Sequence, residues 1–208
     1  MKKIFRKWTV LLATVIIGFS HPAPGQAIYR IQESKDINMK LSGTSTLHKW
    51  EMKAKTFTGE AQFCFDSDIS DELTSLQALT FSLEVENLKS KEKALDKNAY
   101  KALKANEYRE IIYQLLWSKV LHKTGNKYLI EAHGNLTIAG ITRAVTMDVS
   151  CIVNKNSTIT CTGSEKLKMS DYKINPPSFM MGAMKTGDEI TLDFILVYKK
   201  ENKNDKLF

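Results

Sequence analysis

The sequence predicts an all-β protein, a closed antiparallel barrel of about eight strands with one short helix. Three observations lead there. Apolar and polar residues alternate with period two through most of the 208 residues, the signature of strands with one buried and one wet face. Only the stretch around residues 96–105 shifts to a helical spacing. No linker, internal repeat or low-complexity segment divides the chain, so the strands belong to one sheet. A single antiparallel sheet of that length removes its open edges by closing on itself. Eight strands enclose an interior just wide enough to be filled by side chains or to hold one small ligand.

The first residues stand outside that sheet. Lys2, Lys3, Arg6 and Lys7 lead an apolar run from Trp8 to Phe19, and Gly25-Gln26-Ala27 offers small residues for cleavage. This is the layout of an export signal. The run falls short of the ~20 apolar residues of a spanning helix, and no cysteine follows it to take a lipid anchor. The expected division is a signal peptide over 1–27, a barrel over 28–200 and a polar tail over 201–208. The signal holds four basic residues and no acidic one, so its removal lowers the formal net charge from +7 to +3. The remaining charge is spread along the strands, without the concentrated basic stripe that nucleic-acid binding needs.

Strand patterns then follow in order. Ile37, Met39 and Leu41 alternate until Gly43-Thr44-Ser45, and Trp50, Met52 and Ala54 resume the pattern. Phe57, Gly59, Ala61, Phe63 and Phe65 share a face, ended by the turn residues Asp66-Ser67-Asp68. The excursion over residues 66–77 reads as loop. Leu79, Phe81, Leu83 and Val85 oppose Thr80, Ser82, Glu84 and Glu86. Asp96 is the candidate N-cap of the helix over 96–105. Ile111, Tyr113, Leu115 and Trp117 are expected on one face, before a turn at residues 123–126.

The longest alternation is the central hairpin. Tyr128, Ile130, Ala132, Gly134, Leu136 and Ile138 point one way, and Glu131, His133, Asn135 and Thr137 the other. Ala139-Gly140 reverses the chain, because glycine tolerates the positive φ of a tight turn. Val145, Met147, Val149, Cys151 and Val153 continue the apolar face. A turn centred on Asn156 then places Cys151 opposite Cys161. The two are either a disulfide, worth roughly 2–3 kcal/mol for so short a loop, or two small buried hydrophobes. Cys64 is left over, and no Cys/His spacing suits zinc. Pro176-Pro177 bars a central strand from the closing loop, in which Met180, Met181 and Met184 cluster. Ile190, Leu192, Phe194, Leu196 and Tyr198 share a face of the last strand.

The stretch GNLTIAGITRAVTMDV resembles the G-x-LTI-x-G-x-TR motif of the YceI-like family, also called polyisoprenoid- or lipid-binding YceI domains. GTSTLHKWEM, LDKNAYKALKANEYREI and the closing segment LKMSDYKINPPSFMMGAMKTGDEITLDFIL are similar to other parts of the family in order and spacing, over about residues 29–199. Arg109 and Ala144 stand where the family often has proline. The resemblance implies a lipocalin-like barrel, exported to the periplasm, that holds an isoprenoid or other long apolar chain. It implies no catalytic residue.

The functional candidates are therefore the inward side chains. Phe63, Phe65, Phe81, Leu83, Val85, Leu136, Ile138, Val145, Met147, Phe194 and Leu196 are expected to line the interior, either as a hollow lumen or as a solid core. A ligand in such a lumen gains ~0.8 kcal/mol for each CH₂ it buries. The three methionines form a lid over the ligand or ordinary loop packing. Arg143 meets an anionic headgroup, or else a strand-end carboxylate or backbone carbonyl. His48 and Trp50 contact a headgroup or plug a barrel end. Catalysis is not expected: His48, His122 and His133 lie in separate segments outside any known motif, and Asp188-Glu189 is expected in a turn. Neither a metal nor a cofactor is expected beyond the lipid itself. An outer-membrane barrel would carry aromatic girdles and a polar interior, and the aromatics here are scattered. The expectation is an exported, soluble, non-enzymatic protein that carries or stores a long apolar molecule. The alternative is a structural or stress-response accessory module without a physiological ligand. Oligomeric state stays open, a homodimer included.

Overall fold

The computed structural model describes residues 26–32, 37–66, 72–179 and 184–201. The expected signal, apart from Gln26 and Ala27, and the tail beyond Glu201 lie outside them. The strands are β1 (Gln26–Ile31), β2 (Asn38–Ser45), β3 (Lys49–Ala54), β4 (Thr58–Phe65), β5 (Leu73–Glu84), β6 (Leu88–Lys89), β7 (Glu110–Thr124), β8 (Lys127–Ile138), β9 (Ile141–Val153), β10 (Thr158–Lys168), β11 (Ser178–Phe179) and β12 (Met184–Lys200). One helix, α1 (Lys93–Ala102), follows β6.

These strands build eight staves. β1 and β2 lie end to end against the long β12, with Tyr29 opposite Lys200 and Leu41 opposite Leu192. β4 and β3 lie end to end in the next stave, pairing β1 and β2 in turn. β5 and β6 form the third, joined by a 3₁₀ turn over Val85–Asn87. β7, β8, β9, β10 and β12 complete the ring, and the β1–β12 ladder closes it. Each stave is antiparallel to the one before it, so the chain is an up-and-down meander closed into a ring. The closed antiparallel barrel with one helix is the expected fold.

Local sequence accounts for the tight corners. At Ala139 and Gly140, φ is +48° and +76°, the two positive values of a type I′ hairpin turn. A Cβ on Gly140 would also strike the Tyr108 ring, at 2.4 Å. The helix stops at a Schellman motif: Ala105 N–H donates to Tyr100 O at 2.9 Å, and Lys104 takes the left-handed position at φ +52°. The helix begins earlier than its spacing predicts. Its N-cap is Glu92, while the Asp96 carboxylate, inside the first turn, accepts from Ser90 N–H at 2.7 Å.

Three further expectations are corrected. Trp117 does not share the face of Leu115, because a bulge lies between them. It turns outward, 47% exposed, and stacks on His133 with centroids 5.1 Å apart. Leu73–Gln77 is strand and not loop, since β5 starts at Leu73 and register shifts against β4 let Leu73, Leu76 and Leu79 all point inward. Asp188-Glu189 lies within β12, at an irregular register against β2, and not in a turn.

The end of the barrel where β1 meets the last residues of β12 is filled. Phe63, fully buried, meets Tyr29 edge-on at 5.3 Å and Tyr198 at 5.7 Å, and Phe65 lies 6.2 Å from Tyr29. Tyr128 adds its ring and accepts Leu73 N–H at 3.2 Å. Most outward positions on β8, β9 and β10 are polar, among them Glu131, Thr146, Asp148, Thr162 and Lys166, while β7 turns Ile112, Leu116, Trp117 and Leu121 outward.

Candidate functional site

Beyond that aromatic plug the lumen is hollow. The cavity there has a volume of about 120 Å³. Ile130, Ala132, Leu136 and Ile138 of β8 line one side, and Ile190, Leu192, Phe194 and Leu196 of β12 the other. Alternation puts each series inward, as period two requires. The wall fits hydrocarbon and offers an ion almost nothing: of the residues lining it, only Glu165 is charged.

Seven of the eleven expected side chains meet on this wall: Phe81, Leu83, Leu136, Ile138, Met147, Phe194 and Leu196. The other four do not. Phe63 and Phe65 belong to the plug. Val85 is buried in the 3₁₀ turn, where its N–H donates to Arg109 O at 2.8 Å. Val145 packs half-buried against the core without reaching the cavity. Sequence reasoning left out Tyr113, Tyr198, Ala132 and Glu165 as cavity residues. The first three sit on alternations it read as inward. Only the parity from Cys161 to Leu167 marked Glu165.

Two ladders of the wall stop short: β5 and β7 pair only from Thr80–Gln114 to Glu84–Glu110, and β9 and β10 part beside the cavity. β9 and β10 pair from Val153–Ile159 to Val149–Gly163 and no further. Beyond that rung Met147 and Glu165 flank a parting in the sheet. Burial, aided by the Asp148 charge, raises the Glu165 pKa. The far side of the parting is tied by Arg143, whose Nε donates to Asp171 O at 2.8 Å. Arg143 thus holds a backbone carbonyl, one of the partners expected for it. Asp171 lies in the 3₁₀ turn Met169–Tyr172, which is anchored to β12 by Asp188. That carboxylate accepts Ser170 N–H at 2.8 Å and Ser170 Oγ–H at 2.6 Å, and these bonds lower its pKa. Burial pushes Tyr172 in the same turn up to about 12, with Asp171 adding to it.

Cys151 and Cys161 face one another as the turn at Asn156 predicts. Both are free thiols on the cavity wall, with sulfurs 2.8 Å apart. Their contact, then burial, raises the Cys161 pKa. Trp50 Nε1 donates to Thr44 O at 3.2 Å and His48 is exposed in the adjoining turn, so neither lines the cavity. Met180 and Met181 of the expected lid lie outside the described residues. Among the described residues no three metal-ligating side chains converge, and no helix is long and apolar enough to cross a membrane.

A family model described as the YceI-like domain matches residues 29–198. No curated protein matches the chain. Among solved structures, the barrel resembles Burkholderia cenocepacia BcnA at 20% identity and a TM-score of 0.60, covering 77% of this chain and 95% of that one. It resembles a polyisoprenoid-binding domain from Saccharophagus degradans at 9% identity and a TM-score of 0.62, covering 84% and 99%. A Campylobacter jejuni YceI protein matches at 18% identity and a TM-score of 0.53, covering 96% and 100%. At these identities the likeness is one of fold.

Proposed function

We propose that this chain, which belongs to the YceI-like domain family, holds a long apolar molecule inside its barrel and acts as an exported, non-enzymatic carrier or store. The observation that carries the reading is the cavity in the lumen, whose wall is hydrocarbon from seven of the eight staves. Sealed at one end by the aromatic plug, it suits a chain more than a compact polar metabolite. The favoured ligand is an isoprenoid, in keeping with the polyisoprenoid-binding domain among the structural neighbours. A twenty-carbon chain that buries half its carbons gains roughly 8 kcal/mol, and association and ordering take back several of these. Micromolar binding, at about −8 kcal/mol net, therefore calls for more than ten buried carbons. The periplasm is the proposed location, on the strength of the N-terminal charge and hydropathy pattern.

Native mass spectrometry of protein purified from its own host tests the reading. A co-purifying mass that dissociates as a lipid is expected. Protein that emerges empty from lipid-replete cells, and that takes up no isoprenoid on incubation, would leave only the ligand-free accessory role.

A further inference from the structure

Two hydroxyls in the cavity lack partners. Tyr113 and Tyr198 are 7% and 1% exposed, both line the cavity, and neither oxygen has a hydrogen-bond partner among the described residues. β7 and β12 stand four staves apart in a ring of eight; the Tyr113 ring lies over Gly134 of the neighbouring β8, and the Tyr198 ring meets Phe63 of the plug at 5.7 Å. Burial raises the Tyr198 pKa, with Cys161, Cys151 and Tyr113 adding to it. Burial alone lifts Tyr113 to about 12. The thiols already meet each other; the hydroxyls meet nothing. Buried hydroxyls are rarely left so unless a missing partner supplies the bond. No lysine or arginine lines the cavity, so that partner carries no negative charge.

We propose that Tyr113 and Tyr198 form a recognition site for the uncharged, oxygen-bearing end of the apolar ligand, such as an alcohol, ether or ketone. The ligand enters oxygen first, that oxygen accepts a hydrogen bond from one or both tyrosines, and the hydrocarbon trails along the apolar wall. The proposal rests on the reading that the cavity holds a long chain. It adds which end goes in and what chemistry that end has.

The test uses the full barrel stripped of lipid and titrated by native mass spectrometry with geranylgeraniol, the same C20 hydrocarbon without its hydroxyl, and geranylgeranyl phosphate. Wild type is expected to bind the alcohol about tenfold more tightly than the hydrocarbon and to bind the phosphate no better than the hydrocarbon. Tyr113→Phe and Tyr198→Phe should each reduce the preference for alcohol, and the double variant should abolish it, with hydrocarbon affinity unchanged. Both variants should melt no lower than wild type, since each removes only an unpartnered group. Equal affinity for alcohol and hydrocarbon in wild type, or a preference for the phosphate, overturns the proposal while leaving the carrier reading intact. Failure of every probe to bind sinks the carrier reading, and this proposal with it.

Discussion

Glu165 is the residue whose behaviour is least expected of a hydrocarbon wall. Its folded pKa is raised by burial and by Asp148, so folding favours its neutral form. The stability it contributes is fully present below the ordinary carboxyl value of 4.5 and is lost as pH rises through the folded value. Glu165→Gln, which fixes a neutral side chain, is expected to raise Tm at pH 7 and to leave it unchanged near pH 4. Thermal scans across that range check the sign. A lower Tm at pH 7 would reveal a cationic partner for the carboxylate. Residue-scale facts were unevenly legible in the sequence. The Cys151–Cys161 register followed from counting about Asn156, because a hairpin fixes partner sums. The outward turn of Trp117 did not, since a bulge inverts parity without leaving any mark in composition.

Single strands explain why the site was half foreseen. An apolar alternation says which side chains face inward, and it served for Leu136 and Ile138 as for Phe63. It does not say which stretch of an inward face meets bulk from across the ring. At the plugged end Phe63, Tyr29 and Tyr198 fill the width. On β8 Ala132 lines the cavity, and there the lumen stays open. At Gly134 the Tyr113 ring takes the space instead, since a Cβ would lie 2.5 Å from it. Ala132 has no such constraint within the cavity it lines. Ala132→Phe is therefore expected to fold, to shift stability by less than about 1 kcal/mol and to lose bound lipid. In a well-filled interior the same enlargement destabilises by about 1–3 kcal/mol. Chemical denaturation and native mass spectrometry on one sample separate the two outcomes.

For the whole molecule, a barrel with a cavity in its core relies on what fills it. A ligand that binds only the folded state stabilises it by mass action. Stripping co-purified lipid is expected to lower Tm by several degrees, because about 2–4 °C accompanies each kcal/mol in a chain of this size. Adding geranylgeraniol should restore it, and differential scanning calorimetry reads both steps. The closed fold itself was legible, since every inward series demanded a common interior. Its division into a filled end and a cavity was not, for strand order must be known before Tyr113 and Tyr198 can be set four staves apart. One feature of that ring bears on cargo size. The three staves built from paired pieces, β1 with β2, β4 with β3, and β5 with β6, are neighbours, and all are interrupted between their upper and lower pieces. Backbone bonding is interrupted along that belt and again where β9 and β10 part beyond Val149–Gly163, so a bulky guest spreads the wall at these seams, while the unbroken β8–β9 ladder between them keeps its shape.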